Sequence, residues 1–250
     1  MTAVRVVTPE TLDHLAPNDP KAMRSRRDLV RVHSAMRTRG IVCQGWQSLV
    51  SPQRASAPLR ILEIGAGDGT LLLGVAQSLA PRWPSVQLTL LDRVNIVSPA
   101  TLAAYAALGW TARVLVADVL EWAVCAERDA LHPPPGRSPP RWDLISAALF
   151  LHHFEGTKLD QLLAAIASQS NRFFACEPER SRLALVGSHL VGAIGANAVT
   201  REDAVLSVQA GFRGREIRAQ WPRSGALWHT QESATGLFSH SFSARRIGAD

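Results

Sequence analysis

ILEIGAGDGT, residues 61–70, is the stretch on which the fold turns. Ile61, Leu62 and Ile64 flank Glu63 as the end of a buried strand, glycines follow at 65, 67 and 69, and a helix begins where they stop. Glycine at such a corner permits a tight turn and lets a ligand come close to the backbone. The N–H groups at the start of the helix are expected to face a polar ligand. The dinucleotide fingerprint G-x-G-x-x-G needs glycine at 70, where this chain has Thr70. The spacing is instead G-x-G-x-G, with Glu63 ahead of it and Asp68 inside it. Inward carboxylates repel a pyrophosphate and suit a ligand with a cationic amino-acid group.

Outward from this corner, strands and helices alternate. VQLTLLD (86–92), ARVLVAD (112–118), WDLISAALF (142–150) and RFFACE (172–177) read as strands. Helices are expected over 69–80, 98–109, from about 119 to 128, and over 158–168. Short apolar strands separated by helices predict an α/β parallel sheet covered on both faces, with right-handed crossovers. HPPPGRSPP (132–140) is an exposed loop, because proline supplies no N–H. The tail reads as helices near 181–196 and 201–210, then strands near 214–221 and 236–246 that close one edge as a hairpin. Upstream, residues 1–18 read as a weakly ordered, flexible arm. Asp19-Pro20 opens a basic amphipathic helix that runs to about 38, with Gly40 as its stop, and a second helix covers 41–50. Residues 51–58 are a linker. The expected organisation is an arm (1–18), a basic helical cap (19–57) and an α/β domain (58–250).

Asp92 ends the strand LTLLD, and Asp118 follows the next strand in VADVLEW. Together with the glycine loop these residues resemble motif I, E/D-x-G-x-G-x-G, and the downstream acidic positions of the class I S-adenosylmethionine-dependent methyltransferases. The resemblance covers about residues 40–246, and residues 61–70 are its specific part. It implies a Rossmann-like seven-stranded, mostly parallel sheet with an antiparallel last strand, beneath the N-terminal helical cap. It implies S-adenosylmethionine as cofactor, with Glu63 and Asp68 near the amino group of its methionine moiety. Gly65, Ala66, Gly67 and Gly69 would admit the backbone close to it. Asp92, with Arg93 beside it, would take the ribose hydroxyls, and Asp118 with Val119 would meet the adenine. A carboxylate suits these positions, since it accepts two hydrogen bonds and donates none. Taken singly, Asp92 and Asp118 read equally well as strand-end or N-cap residues.

ALFLHHFEG (148–156) falls at the carboxyl edge of the sheet, beside the expected crevice. Leu-His-His-Phe is similar to the same region of ubiquinone-type and natural-product methyltransferases. Histidine has the intrinsic pKa to remove a proton from a phenol acceptor, and His152, ahead of His153, is the expected base. The alternative is that one ring fills the helix start and the other caps backbone groups. Glu177, after the fifth of these strands, either orients His153 or an acceptor hydroxyl, or pairs with Arg180 or Arg182. The small and apolar helix near 181–196, which carries His189, either walls an acceptor pocket or is core. Trp46, Trp221 and Trp228 are further candidates for pocket walls. No DPPY or NPPY tetrapeptide and no C-x-x-C occurs, so nitrogen methylation of bases and a metal-dependent subtype are not expected. The tail (199–217 and 236–246) resembles that of bacterial methyltransferases found beside type III polyketide synthases, which implies O-methylation of a phenolic or polyketide-derived acceptor.

Composition bounds the alternatives. The chain has 250 residues, 46% hydrophobic and 19% charged, enough to build a sizeable core. No apolar run reaches the ~18 residues of a spanning helix. Cys43, Cys125 and Cys176 are odd in number and scattered, which fits a reducing cytoplasm. The net charge is +6, and residues 1–60 hold all of it, with ten Lys/Arg against four Asp/Glu. That segment is a solvated face, a cap over an anionic ligand, a contact with anionic membrane, or the footprint of an RNA-modifying protein. The charge is confined to one segment and no aromatic stacking module accompanies it, so a small-molecule acceptor is expected rather than nucleic acid. A catalytically idle scaffold that keeps the pocket is a further alternative.

Overall fold

Seven strands form one sheet in the computed structural model, which describes residues 4–51, 57–131, 141–223 and 225–248. The expected proline-rich loop (132–140) and most of the expected linker (52–56) lie outside the described residues. The strands are β1 (Leu59–Ile64), β2 (Val86–Asp92), β3 (Trp110–Val116), β4 (Leu144–Ala148), β5 (Arg172–Pro178), β6 (Trp228–Thr235) and β7 (Ser239–Arg246). Their order is β3-β2-β1-β4-β5-β7-β6. The first five run parallel, and β7 inserts antiparallel between β5 and β6. β1 pairs with both β2 and β4, so the strand order reverses there. A reversal opens a crevice at the carboxyl ends of the two strands, which positions the site.

The two faces of the sheet carry separate cores. On one, α3 (Thr38–Leu49) and α4 (Thr70–Leu79) bury Ile41, Val42, Trp46, Leu72 and Val75 against the sheet. Trp46, Trp83 and Trp110 stack there in sequence, with ring centroids 6.1 and 6.4 Å apart. The expected cap boundary at 57/58 is therefore not a packing boundary, since α3 belongs to the core. On the other face lie α6 (Val119–Leu131) and α7 (Gly156–Gln169). Leu159, Leu162, Leu163 and Ile166 of α7 recur at helical spacing and are fully buried, each contributing roughly 1.5–3 kcal/mol. α5 (Pro99–Ala107) begins at Ser98, whose side chain caps Thr101 N–H, and Tyr105 on it donates to Gly69 O at 2.7 Å.

Three elements differ from expectation. The basic helix, α2 (Pro20–Ala35), is opened by Asp19 as predicted but ends before Arg37, which is left-handed (φ 57°), and α3 starts at Thr38 with Gly40 inside it. The break falls there because α3 turns Ile41, Val42 and Trp46 onto the sheet. Residues 181–196 are not one helix: α8 (Arg182–His189) stops, and a tight turn (191–194) ends at Gly195 with φ 82°. α9 (Ala198–Ala210) follows. The expected strand 214–221 contains the short helix α10 (Glu216–Gln220). Ile217 and Trp221, four apart, are both buried, and Glu216 accepts from Arg213 N–H and pairs with Arg180. The hairpin instead uses β6, a polar edge strand of alternating exposure. No described helix is long and apolar enough to cross a membrane.

Residues 4–18, expected as a flexible arm, lie against the body. Arg5 donates to the carbonyls of Ala210, Phe154 and His152 at 2.7, 2.9 and 3.2 Å and sits over the Phe212 ring. Asp203 of α9 accepts Thr11 and Leu12 N–H at 2.8 and 3.0 Å, at the start of the single-turn helix α1 (Thr11–His14). Side chains 192 positions away hold this segment, which no local pattern announces.

Candidate active site

The corner after β1 turns through left-handed glycines at 65, 67 and 69 (φ 72°, 56° and 74°). A Cβ on Gly65 would stand 2.2 Å from the Phe150 ring, whereas one on Gly67 would meet nothing within 4 Å. Gly65 thus serves packing, and Gly67 keeps space open. The N–H groups of Gly65, Ala66 and Gly67 are satisfied within the protein. Gly65 and Ala66 donate to Leu91 O, and Gly67 donates to Asp92 Oδ2 at 2.8 Å. Asp68 accepts from the N–H (2.9 Å) and hydroxyl (2.6 Å) of Thr70. Asp68 thus takes up the first N–H of α4, and Thr70, Leu71 and Leu72 at the start of that helix line the cavity over this corner.

A cavity of about 360 Å³ opens over this corner. Glu63, Gly65, Ala66, Gly67, Asp68, Asp92 and Arg93 line one end of it. Glu63 is 2% exposed, and its Oε2 has no hydrogen-bond partner. Burial pushes its carboxyl up to about 8; a hydrogen bond with Ser146 opposes this, and the charge of Glu177 adds to it. A buried acceptor without a partner is costly unless a ligand supplies a donor. Gly69 sits behind the loop, its would-be Cβ facing Leu90. Asp118 and Val119 do not line the cavity. Asp118 Oδ1 caps α6 through Leu120 N–H at 2.7 Å, the N-cap alternative.

The other end is built at the end of β4. Leu149 adopts a left-handed backbone (φ 54°), a cost of roughly 1–2 kcal/mol for a residue with a Cβ. That kink aims the N–H groups of Phe150, Leu151 and His152 at the fully buried Glu177 carboxylate, at 3.1, 2.9 and 3.3 Å. Glu177 also holds His152 Nδ1 at 2.8 Å. It thus orients His152 rather than His153, while Arg180 pairs with Glu216. His152 Nε2 faces Glu10 Oε1 at 3.4 Å. Burial lowers the His152 pKa, but hydrogen bonds to Glu10 and Glu177, and their charges, raise it to about 9. Glu177 and Glu10 thus face the two ring nitrogens of His152 and favour its protonated form. His153, whose Nδ1 lies 3.4 Å from Asp13 Oδ2, is held below the usual histidine range by burial and the charge of His152.

The arm supplies what sequence reading missed. Glu10 and Asp13 line the cavity, with Ser207 donating to Glu10 and Arg93 donating to Asp13 O at 3.2 Å. Their three-residue spacing around α1 was the one local signal available. Leu29, Val32 and His33 of α2, with Met36 just after it, form a wall, and burial pushes His33 down to about 4. Gly187, Ser188, Val191 and Ile194 form another, in accord with the pocket-wall reading of that segment. Trp46, Trp221, Trp228 and His189 do not line it.

No protein-family model and no curated protein matches the chain. Solved structures do match, at low sequence identity. The plantazolicin methyltransferase BpumL, in complex with a triazolic desmethylPZN analog and SAH, is 14% identical; the match covers 91% of this chain and 92% of that one (TM-score 0.58). An O-methyltransferase family protein from Burkholderia thailandensis is also 14% identical (TM-score 0.58), the match covering 93% of this chain and 62% of that one. The magnesium protoporphyrin IX methyltransferase ChlM from Synechocystis PCC 6803, with bound SAH, is 14% identical over 94% and 91% of the two chains (TM-score 0.50). These likenesses establish a shared fold, the seven-stranded Rossmann-like sheet.

Proposed function

We propose that the chain transfers a methyl group from S-adenosylmethionine to a small acceptor. The observation that carries this is Glu63: a buried carboxylate with an unpartnered oxygen, at the strand reversal, beside a glycine loop and Asp92. The donor set fits the cofactor, because Glu63 can receive an ammonium group and Gly67 leaves open space. Glu63, the 65–67 backbone and Asp92 would hold it, with Arg93 at the rim. Asp68 and Gly69 would act through the shape of the loop, and Asp118 and Val119 through α6. The cofactor supplies an electrophilic methyl group on a sulfonium. The protein supplies alignment for in-line displacement, where positioning contributes up to roughly 7–11 kcal/mol of a barrier.

The acceptor would lie between α2, α8 and the turn after β4. Apolar Leu29, Val32, Met36, Val191 and Ile194 suit a phenolic or polyketide-derived ring. Glu10, Asp13 and the two histidines suit its ionisable oxygen, so O-methylation is the reaction favoured. The acceptor's proton is lost at this cluster of two carboxylates and two imidazoles. Arg26 and Arg31 of the basic helix bond to Pro17 O, Asp28 and Gly195 O, which supports a cap fastened over the cavity rather than a nucleic-acid surface. Exposed Met23 and Val30 beside Arg24 and Arg27 favour peripheral contact with anionic membrane. The test is transfer of labelled methyl from S-adenosylmethionine to a panel of phenols, alkylresorcinols and tRNA. Transfer to a phenol is expected; transfer to tRNA alone, or none at all, contradicts the proposal.

A further inference from the structure

Glu10, His152 and His153 place one ligand-type atom each within 4.8 Å of one another on the cavity wall. Asp13 Oδ2 stands 3.4 Å from His153 Nδ1, and Glu10 Oε1 stands 3.4 Å from His152 Nε2. Charge-assisted hydrogen bonds prefer about 2.7–2.9 Å, so both gaps are too wide for strong ones. Ligands at ~2.0–2.2 Å from a shared metal ion are instead about 3–3.5 Å apart. The supporting groups are also in place. His152 Nδ1 bonds to buried Glu177, which directs Nε2 at Glu10, the carboxylate–histidine arrangement that orients metal-bound imidazoles. Glu10 is itself fixed by the Ser207 hydroxyl.

We propose that Glu10, His152 and His153 bind one divalent transition-metal ion, with Asp13 beside the set, and that an oxygen of the acceptor completes its coordination. Two imidazoles and a carboxylate select ions of the zinc, cobalt, nickel or iron kind over magnesium or calcium. Binding displaces the proton between His152 and Glu10, and the neighbouring cavity leaves room for a further ligand. The part played by the acceptor rests on the methyl-transfer reading; the ion site does not.

The test uses full-length, metal-stripped protein carrying Cys125→Ser, which removes an exposed thiol. Cobalt(II) is titrated with visible absorption as readout, and retained zinc is counted by elemental analysis after dialysis. One ion per chain is expected, with at least ~10-fold weaker binding in Glu10→Gln and His153→Ala. Glu177→Gln should weaken it ~10–100-fold by freeing His152. His229→Ala, on the exposed edge strand, should leave it unchanged. Absence of a retained ion in the parent, or retention unaltered by both Glu10→Gln and His153→Ala, overturns the inference. Titration of the same samples with S-adenosylhomocysteine separates the two claims. Nucleoside binding without metal overturns the ion site alone, and metal binding without the nucleoside overturns the methyl-transfer reading alone.

Discussion

Binding of a ligand that carries an ammonium group should expel a proton from Glu63. With its carboxyl pushed to about 8, Glu63 is ~90% protonated at pH 7 in the free protein. A cation against Oε2 restores the ordinary carboxylate range, so ~0.9 proton leaves for each ligand bound. Competition with that proton makes apparent affinity rise ~9-fold between pH 6 and pH 7. The assay is calorimetric titration with S-adenosylhomocysteine in buffers of different ionisation enthalpy, where the slope of heat against buffer enthalpy counts protons. Glu63→Gln keeps an acceptor oxygen and loses the titration. Its slope should be smaller by ~0.9 proton at pH 7. Equal slopes in the two proteins would refute the assignment of Glu63 to the ammonium.

Other perturbations follow from the same geometry. Gly65→Ala drives a Cβ into Phe150 at a left-handed position; thermal unfolding should show a loss of at least ~1–2 kcal/mol, the cost of the backbone alone. Arg5→Ala removes the donor to three carbonyls; thermal unfolding should show a loss of about 1–3 kcal/mol, and methyl transfer should fall with it. His240 is buried between Glu179 and Glu232 at 2.7 and 2.8 Å. Burial lowers its pKa, but those two partners raise it to about 9. The stabilisation is full below the unfolded value of ~6.5 and is lost as pH rises through 9. Melting temperatures of the parent and His240→Gln should therefore converge between pH 7 and pH 10, and a constant difference would contradict this. Deletion of residues 1–13, which removes Glu10 and Asp13, should leave nucleoside binding in place and cut turnover sharply.

What could be read from the chain follows from which contacts are local. The β1–glycine–α4 corner needs only ten consecutive residues, so its architecture was legible, as were the apolar strands and the antiparallel closure. β6 was missed because WHTQESAT is mostly polar, as an edge strand facing solvent tends to be. α10 was missed because a helix of five residues is held by Arg180 and Glu232 rather than by its own propensity. His152 and His153 were legible as a pair, but their division was not. It depends on Glu10, 142 positions away, and on the Leu149 kink that brings three N–H groups to Glu177. The same distance hid the arm, whose attachment to Asp203 and Ala210 has no local signature.

Equilibrium dialysis of the folded protein against labelled S-adenosylmethionine tests the central claim most directly. Retention of one molecule per chain, displaced by S-adenosylhomocysteine, is the predicted result. A folded protein that retains none would contradict it.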